Sequence, residues 1–441
     1  MKVFNKVNLP VVVADVVKSL NENVNYAILR NHEGLPYENS SRDIDILIER
    51  KSLDEVKDLI VKEMNLNGFS IVSYFDSERM CTFICGKIGN TGCELVQFDF
   101  FFHTSAYGII LQDAPFLLQH RLFDGKVYFL PLELEFLDKY LYLKFIGSKY
   151  PSKYEHIEQS MHNNAILDTM LKKELDISCY EELQLMSTSC FRRKILFYNM
   201  KKKAFRQLCN INLFYKCYVN NFLFVKGFSF GFTGPDGAGK TTILEKIIKQ
   251  FNPIYKEITF NHFRPLLFRN LGEVANSAGL TKEVDCNFNQ PHRGKKTGKI
   301  NSFLRLSYYT LDYVLGYILR IRKSLFHRGI VIFDRYYTDI ICDSRRSRIY
   351  LSPKFLYLWK KCFIPSLDYN FLLTAQTDTI LSRKKELDEE GIKAINEKID
   401  YLARKKGYIK ILNDTTPQDA VLNILNLIFE KQHKKNLKRL K

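Results

Sequence analysis

The chain has 441 residues, a formal net charge of +18 and 46% hydrophobic residues, with 66 Lys and Arg against 48 Asp and Glu. That length holds two or three domains with separate cores, and the apolar content is that of a globular chain rather than a disordered one. No run of about twenty uncharged apolar residues occurs, so no bilayer-spanning helix is expected. Near the N-terminus Asp15 interrupts the apolar run after a basic start, and no small-residue cleavage site follows, so no signal peptide is expected. The ten cysteines are scattered without CxxC or metal-finger spacing. Their spacing predicts reduced thiols in a cytoplasmic protein.

Residues 1–135 alternate short strands and helices. Asn25–Arg30 and Asp43–Glu49 read as strands, and Leu53, Val56, Leu59 and Ile60 give helical spacing over 52–64. Three further strand-like runs follow at 70–74, 81–88 and 93–102, the last two joined by GNTG at 89–92, a hairpin signal. In RDIDILIE (42–49), Asp43 and Asp45 share one face of a strand, because alternate residues do. With a third carboxylate from a neighbouring strand they make a Mg²⁺ cage suited to activating a nucleotide α-phosphate. Asp99, in the apolar VQFDFFF, is the natural third member, since an unpaired charge there is costly. Over about residues 20–130 this pattern resembles the nucleotidyltransferase superfamily related to DNA polymerase β. It departs from that family where Arg30 and Asn31 replace the glycine-rich turn before the DxD strand. The backbone cradle for a triphosphate is thereby altered, which leaves open a binding or regulatory module without turnover.

From 136 to 220 helical periodicity dominates, giving a connector expected to pack on the first domain. Between Leu183 and Pro235 no acidic residue occurs, against nine basic ones (Arg192, Arg193, Lys194, Lys201, Lys202, Lys203, Arg206, Lys216 and Lys226), with aromatics interleaved. Such a segment suits anionic lipid, nucleic acid, a polyanionic substrate, or only a solvated helix face. Peripheral contact with an anionic membrane at its inner face is the partner reading taken forward. No specific nucleic-acid partner is expected.

From 221 onward strands and helices alternate at βαβ spacing, which predicts a mostly parallel sheet with helices on both faces. The strand-like Phe228–Phe232 leads into GPDGAGKTT (234–242), and Ile243, Leu244, Ile247 and Ile248 mark an amphipathic helix behind it. This is a phosphate-binding loop. Gly234, Gly237 and Gly239 permit the tight turn, and the backbone from Asp236 through Ala238 to Thr242 faces the nucleotide phosphates. Lys240 then reaches the β- and γ-phosphates of ATP, Thr241 holds Mg²⁺, and the helix presents its positive end to the same anion. Further on, GIVIFDRYYTD (329–339) reads as a second buried strand ending in Asp334, which faces the Mg²⁺ water shell, with Arg335 placed to grip a phosphate.

Together GPDGAGKTT and FDRYY resemble the thymidylate kinase family of P-loop nucleoside monophosphate kinases, over roughly residues 226–432. The resemblance implies Mg²⁺ and ATP, a dimer, and transfer of the γ-phosphoryl of ATP to a nucleoside monophosphate, dTMP by family. It gives Asp236 contact with the acceptor's sugar and Arg335 its phosphate, and makes Arg383 with Lys384 and Lys385 a basic lid. Tyr309 falls where the family stacks an aromatic on thymine, but the arginine one turn later is Tyr313 here, and the aspartate that often ends the fourth strand is Thr374. Arg345, Arg346 and Arg348 have no counterpart in that pattern. Arg345 is taken as acceptor-binding, as is Arg264, with His262 beside it as a weaker candidate.

The fold class read from the sequence is α/β. A P-loop parallel sheet flanked by helices fills 221–441, preceded by a smaller α+β nucleotidyltransferase-like domain (1–135) and a helical connector (136–220). The function read is ATP-dependent phosphoryl transfer. A sugar or sugar phosphate of surface-polysaccharide synthesis is the rival acceptor, and an ATP-gated binding protein is the non-catalytic alternative.

Overall fold

The structure is a computed structural model and describes residues 6–269, 298–383 and 388–440. The chain divides into two units, one of residues 1–87, 94–224 and 429–441, the other of 88–93 and 225–428. The helical stretch 136–220 therefore belongs to the first unit. So does the last part of the C-terminal helix, although the sequence spacing predicts one domain over 221–441. The reason is local: His433 Nδ1 accepts from the Ile71 N–H at 3.0 Å, and Asn436 Nδ2 donates to the Ile71 and Val72 carbonyls.

In the first unit, helix α1 (Val12–Asn23) buries Val12, Val13, Val16, Val17 and Leu20, one face of a 3.6-residue repeat. Strand β1 (Tyr26–Ile28) pairs antiparallel with β2 (Asp43–Ile48), and helix α2 (Leu53–Leu66) follows. On β2, Ile44, Ile46 and Ile48 enter the core while Asp43 and Asp45 stay half-buried on the opposite face. That alternation is the period-2 pattern of a strand, and Leu47, next on the aspartate face, is buried in a second cluster. Strands β3 (Ser70–Asp76), β4 (Met80–Ile88) and β5 (Cys93–Phe101) complete one side of the sheet. The hairpin β6 (His103–Ala106) and β7 (Ile109–Asp113) forms a separate two-stranded sheet. With β8 (Leu122–Phe123) and β9 (Tyr128–Phe129), the seven-stranded order is β8-β9-β1-β2-β5-β4-β3. β5 lies parallel to β2, with Asp45 opposite Asp99 and Asp43 opposite Gln97. Helices α3 (Leu132–Ile146), α4 (Ala165–Leu175), α5 (Thr188–Lys202) and α6 (Ala204–Leu223) follow.

The second unit is built on five parallel strands. They are β10 (Phe228–Thr233), β11 (Ile258–His262), β12 (Ile330–Asp334), β13 (Tyr369–Thr374) and β14 (Tyr408–Leu412), in the order β11-β12-β10-β13-β14. β10 and β13 are buried along their whole length. A parallel sheet covered on both faces has no solvent side, so even the small and polar residues of these strands (Ser229, Gly231, Thr233, Asn370 and Thr374) are enclosed. The intervening helices include α7 (Lys240–Phe251), α8 (Lys299–Gly316), α9 (Tyr337–Cys342), the short α10 (Ser344–Ser347), α11 (Thr377–Arg383) and α12 (Glu389–Ala403). The nine described cysteines are free thiols.

Candidate active site

Parallel strands gather their carboxyl ends on one edge, where loops meet helix N-termini and ligands of such folds bind. Here β10 and β12 are neighbours in register, with Phe232 opposite Asp334, so the loop after β10 and the Asp334–Arg335 pair emerge side by side. The loop is held close to its surroundings. A Cβ at Gly234 would lie 2.1 Å from the Leu373 carbonyl oxygen, and Gly239 has φ 88° with its Cβ position 2.5 Å from Asn413 Nδ2. Neither position accepts a side chain without moving backbone or breaking the contact in which Asn413 Nδ2 donates to the Ala238 carbonyl at 2.8 Å.

Lys240 opens α7 and is only 6% exposed. Its Nζ donates to the carbonyls of Gly234 and Pro235, each at 2.8 Å, and lies 3.7 Å from Asp236 Oδ1. Burial, helped by the Arg335 charge and opposed by Asp236, lowers its pKa to about 8. Thr241 and Thr242 follow on the first turn and are exposed.

Arg335 sits at φ 71°, a left-handed conformation disfavoured for any residue with a Cβ. Its Nη2 donates to Asp236 Oδ1 and its Nη1 to Asp339 Oδ1 at 2.8 Å. Burial works against the guanidinium, but Asp339, Asp236 and Asp334 outweigh it and hold Arg335 firmly cationic. Arg346 Nη2 donates to Asp236 Oδ2. One loop carboxylate is thus gripped by two guanidiniums from two segments of the chain.

Asp334 accepts from His262 Nδ1 at 3.1 Å through Oδ2, and His262 is its register partner on β11. Burial raises the Asp334 pKa, but the His262 contact and the Lys240 and Arg335 charges prevail and leave it below the usual carboxylate range. Its Oδ1 is buried without a hydrogen-bond partner among the described residues. An orphaned carboxylate oxygen beside the loop is a fitting ligand for Mg²⁺ or for a water on it. Arg383 also reaches the loop: its Nη1 donates to the Asn413 carbonyl at 3.1 Å and lies 4.0 Å from the Gly239 Cβ position. Lys384 and Lys385 lie outside the described residues.

The residues chosen for the acceptor are not gathered in the same way. Arg264 is buried, pairs with Asp312 at 2.8 Å and lies 4.6 Å over the Tyr309 ring. Tyr313 is fully buried and donates to the Phe263 carbonyl. Arg345 is exposed and 4.0 Å from Asp388, whereas its neighbour Arg346 points into the loop. Asp343 decides between the two by capping α10: its carboxylate accepts the Arg346 backbone N–H at 3.1 Å and lies 3.5 Å from Arg346 Nε. Arg346 and Asp339 are thus brought to the loop without being named from the sequence: Arg335 precedes α9 at positive φ, so its pairing with Asp339 is not one that helical spacing signals.

In the first unit the expected Mg²⁺ cage of Asp43, Asp45 and Asp99 does not form. Asp45 and Asp99 are adjacent in register, but Arg30 Nε forms an ion pair with Asp45 Oδ2 at 2.8 Å. Asp99 accepts from Thr82 Oγ1 at 2.6 Å and Gln97 Nε2 at 2.7 Å. No group of three His, Cys, Asp or Glu side chains is placed to hold a metal among the described residues. The donor set does not fit a cation while a guanidinium holds one of its carboxylates.

Fold and site define a mixed α/β protein whose parallel sheet carries a glycine-rich loop, an arrangement compatible with a P-loop kinase fold. No protein-family model matches the chain, and no curated protein matches it. Among solved structures, the thymidylate kinase of Ehrlichia chaffeensis is similar at 16% identity over 46% of this chain and 98% of that one, with a TM-score of 0.33.

Proposed function

We propose that the second unit is an ATP-dependent kinase whose acceptor carries a phosphate, a nucleoside monophosphate in the first instance. The observation that supports this reading is the convergence of Lys240, Arg335 and Arg346 on Asp236 at the carboxyl edge of the sheet, where Asp334 ends the neighbouring strand. Backbone N–H groups of the loop and the start of α7 cradle the ATP phosphates, and Lys240 leaves its own loop carbonyls for the β- and γ-phosphates. Asp236 then serves as a place-holder: the acceptor phosphate takes over the two guanidiniums that the carboxylate holds in the resting site. An acceptor phosphate oxygen attacks the γ-phosphorus, the bond to ADP breaks, and ADP leaves. Such an oxyanion needs no base, in keeping with an Asp334 carboxylate whose depressed pKa makes it a poor one. Thr241 and Asp334 would hold Mg²⁺, which supplies neutralisation of the phosphate charge. Arg383 adds positive charge at the loop, where electrostatic stabilisation accounts for most of the rate in this reaction type.

A sugar phosphate is the second reading, and the Tyr309 ring favours it. One face of that ring is covered by Arg264, which weakens its use as a stacking surface for thymine. For the first unit the proposal is a nucleotidyltransferase-like domain without metal-dependent turnover. Acceptor-dependent ADP release across a panel of nucleoside monophosphates and sugar phosphates tests the kinase reading. Release unchanged by every member of the panel would leave only an ATP-gated binding protein.

A further inference from the structure

Helix α6 (Ala204–Leu223) reverses the usual arrangement of a surface helix. Its buried side chains are the amides Gln207, Asn210 and Asn221. Gln207 accepts the Ile110 N–H at 3.1 Å through Oε1 and donates to the Gly108 carbonyl at 2.8 Å, and Asn210 donates to the same carbonyl at 2.9 Å. The helix is therefore fastened to the β6–β7 hairpin by hydrogen bonds. Part of its apolar surface is left outside: Phe205, Leu208, Tyr215 and Val219 are each more than half exposed. Their spacing of three, seven and four residues puts them in one stripe about 80° wide on the helix surface. On α5, fastened to α6 through the Asn199–Gln207 contact at 2.9 Å, Phe197 and Met200 are exposed as well.

Charge indicates what covers this stripe. No acidic residue occurs from 183 to 235, and Arg193, Lys201, Lys202 and Lys216 are exposed on the same two helices. We infer that α5 and α6 form a docking surface for an anionic lipid bilayer, with the stripe seated at the boundary between headgroups and acyl chains. The contact is interfacial, because no helix among the described residues is long and apolar enough to cross a membrane. A protein partner of complementary shape would present acidic groups to these lysines. Single-stranded nucleic acid would use stacked aromatics and leave Leu208 and Val219 without a role. An aliphatic and aromatic stripe edged by cations of one sign fits lipid best.

The test is co-sedimentation of the full chain with phosphatidylcholine vesicles, with and without phosphatidylglycerol. Binding is expected only to the anionic vesicles and is expected to weaken as salt rises. Leu208→Ser and Val219→Ser each reduce partitioning about fivefold to tenfold. Lys201→Glu and Lys216→Glu each reduce it about fivefold or more. These positions are exposed, so thermal melting should match the parent chain, and ATP binding should not change. The inference is overturned by equal partitioning of parent and variants. It is also overturned by preference for a single-stranded oligonucleotide over the vesicles, or by vesicle-free self-association that Leu208→Ser abolishes.

Discussion

Each unit carries an aspartate on a central strand next to basic side chains, but the two sites are built to opposite effect. In the second unit, Asp334 keeps one oxygen buried and without a partner, and the neighbouring loop has backbone donors at a helix N-terminus. In the first, Asp45 is taken by Arg30 and both oxygens of Asp99 accept hydrogen bonds. A carboxylate left incompletely satisfied beside an anion-binding loop is suited to a ligand. A carboxylate already neutralised by a guanidinium is suited to holding the sheet together.

The sharpest way to break this comparison is Lys240→Ala, which should lower ATP turnover by about a hundredfold or more. Fluorescent-nucleotide titration and ADP release check it, and near-parental values would remove the loop from the chemistry. Next, Asp334→Asn should cost about a hundredfold in metal-supported activity and remove Mn²⁺ seen by electron paramagnetic resonance, while Asp45→Asn leaves that signal intact. Loss of Mn²⁺ in the Asp45 variant instead would restore the metal cage to the first unit. Arg346→Ala should raise the acceptor KM about tenfold or more with ATP binding preserved, because it removes one of the two guanidiniums on Asp236. Steady-state kinetics with the acceptor varied would detect it. Arg30→Ala should destabilise the first unit by about 2 kcal/mol in urea unfolding, since it strands a partly buried carboxylate.

The smallest effect concerns pH. The resting Lys240 titrates at about 8, and only its cationic form serves the phosphates. ATP affinity should therefore be flat below that value and fall by up to about tenfold per unit above it. Binding above pH 8 should take up close to one proton, which calorimetry in buffers of different ionisation enthalpy measures. Uptake near zero would mean that Lys240 is already cationic in the empty loop.

The parallel sheet was legible because apolar-rich strands alternate with helices at βαβ spacing and its loop has glycines where the backbone has no room for a side chain. Gly234 against Leu373 and Gly239 against Asn413 are the cases in point. Asp43, Asp45 and Asp99 were also placed correctly on neighbouring strands, since period two and apolar flanks fix a strand's faces. Their occupation was not legible. Arg30 lies on the connection that leads from β1 into this strand, and its pairing with Asp45 is set by the antiparallel return of the chain rather than by anything within DIDILI. On the acceptor side, which of Arg345 and Arg346 faces the loop depends on the phase of a four-residue helix, which a single turn of sequence cannot set.

The sequence by itself determined the sheet-and-loop half of this protein, its basic connector and the chemical types gathered at the loop. These follow from periodicity, glycine sterics and charge count, which are properties of short segments. Tertiary structure decided which charges meet: Arg335 and Arg346 on Asp236, Arg30 on Asp45, and the amides of α6 turned inward with its apolar stripe left outside. Ion pairing and burial are settled by distances between segments far apart in the chain, and only folding sets those distances.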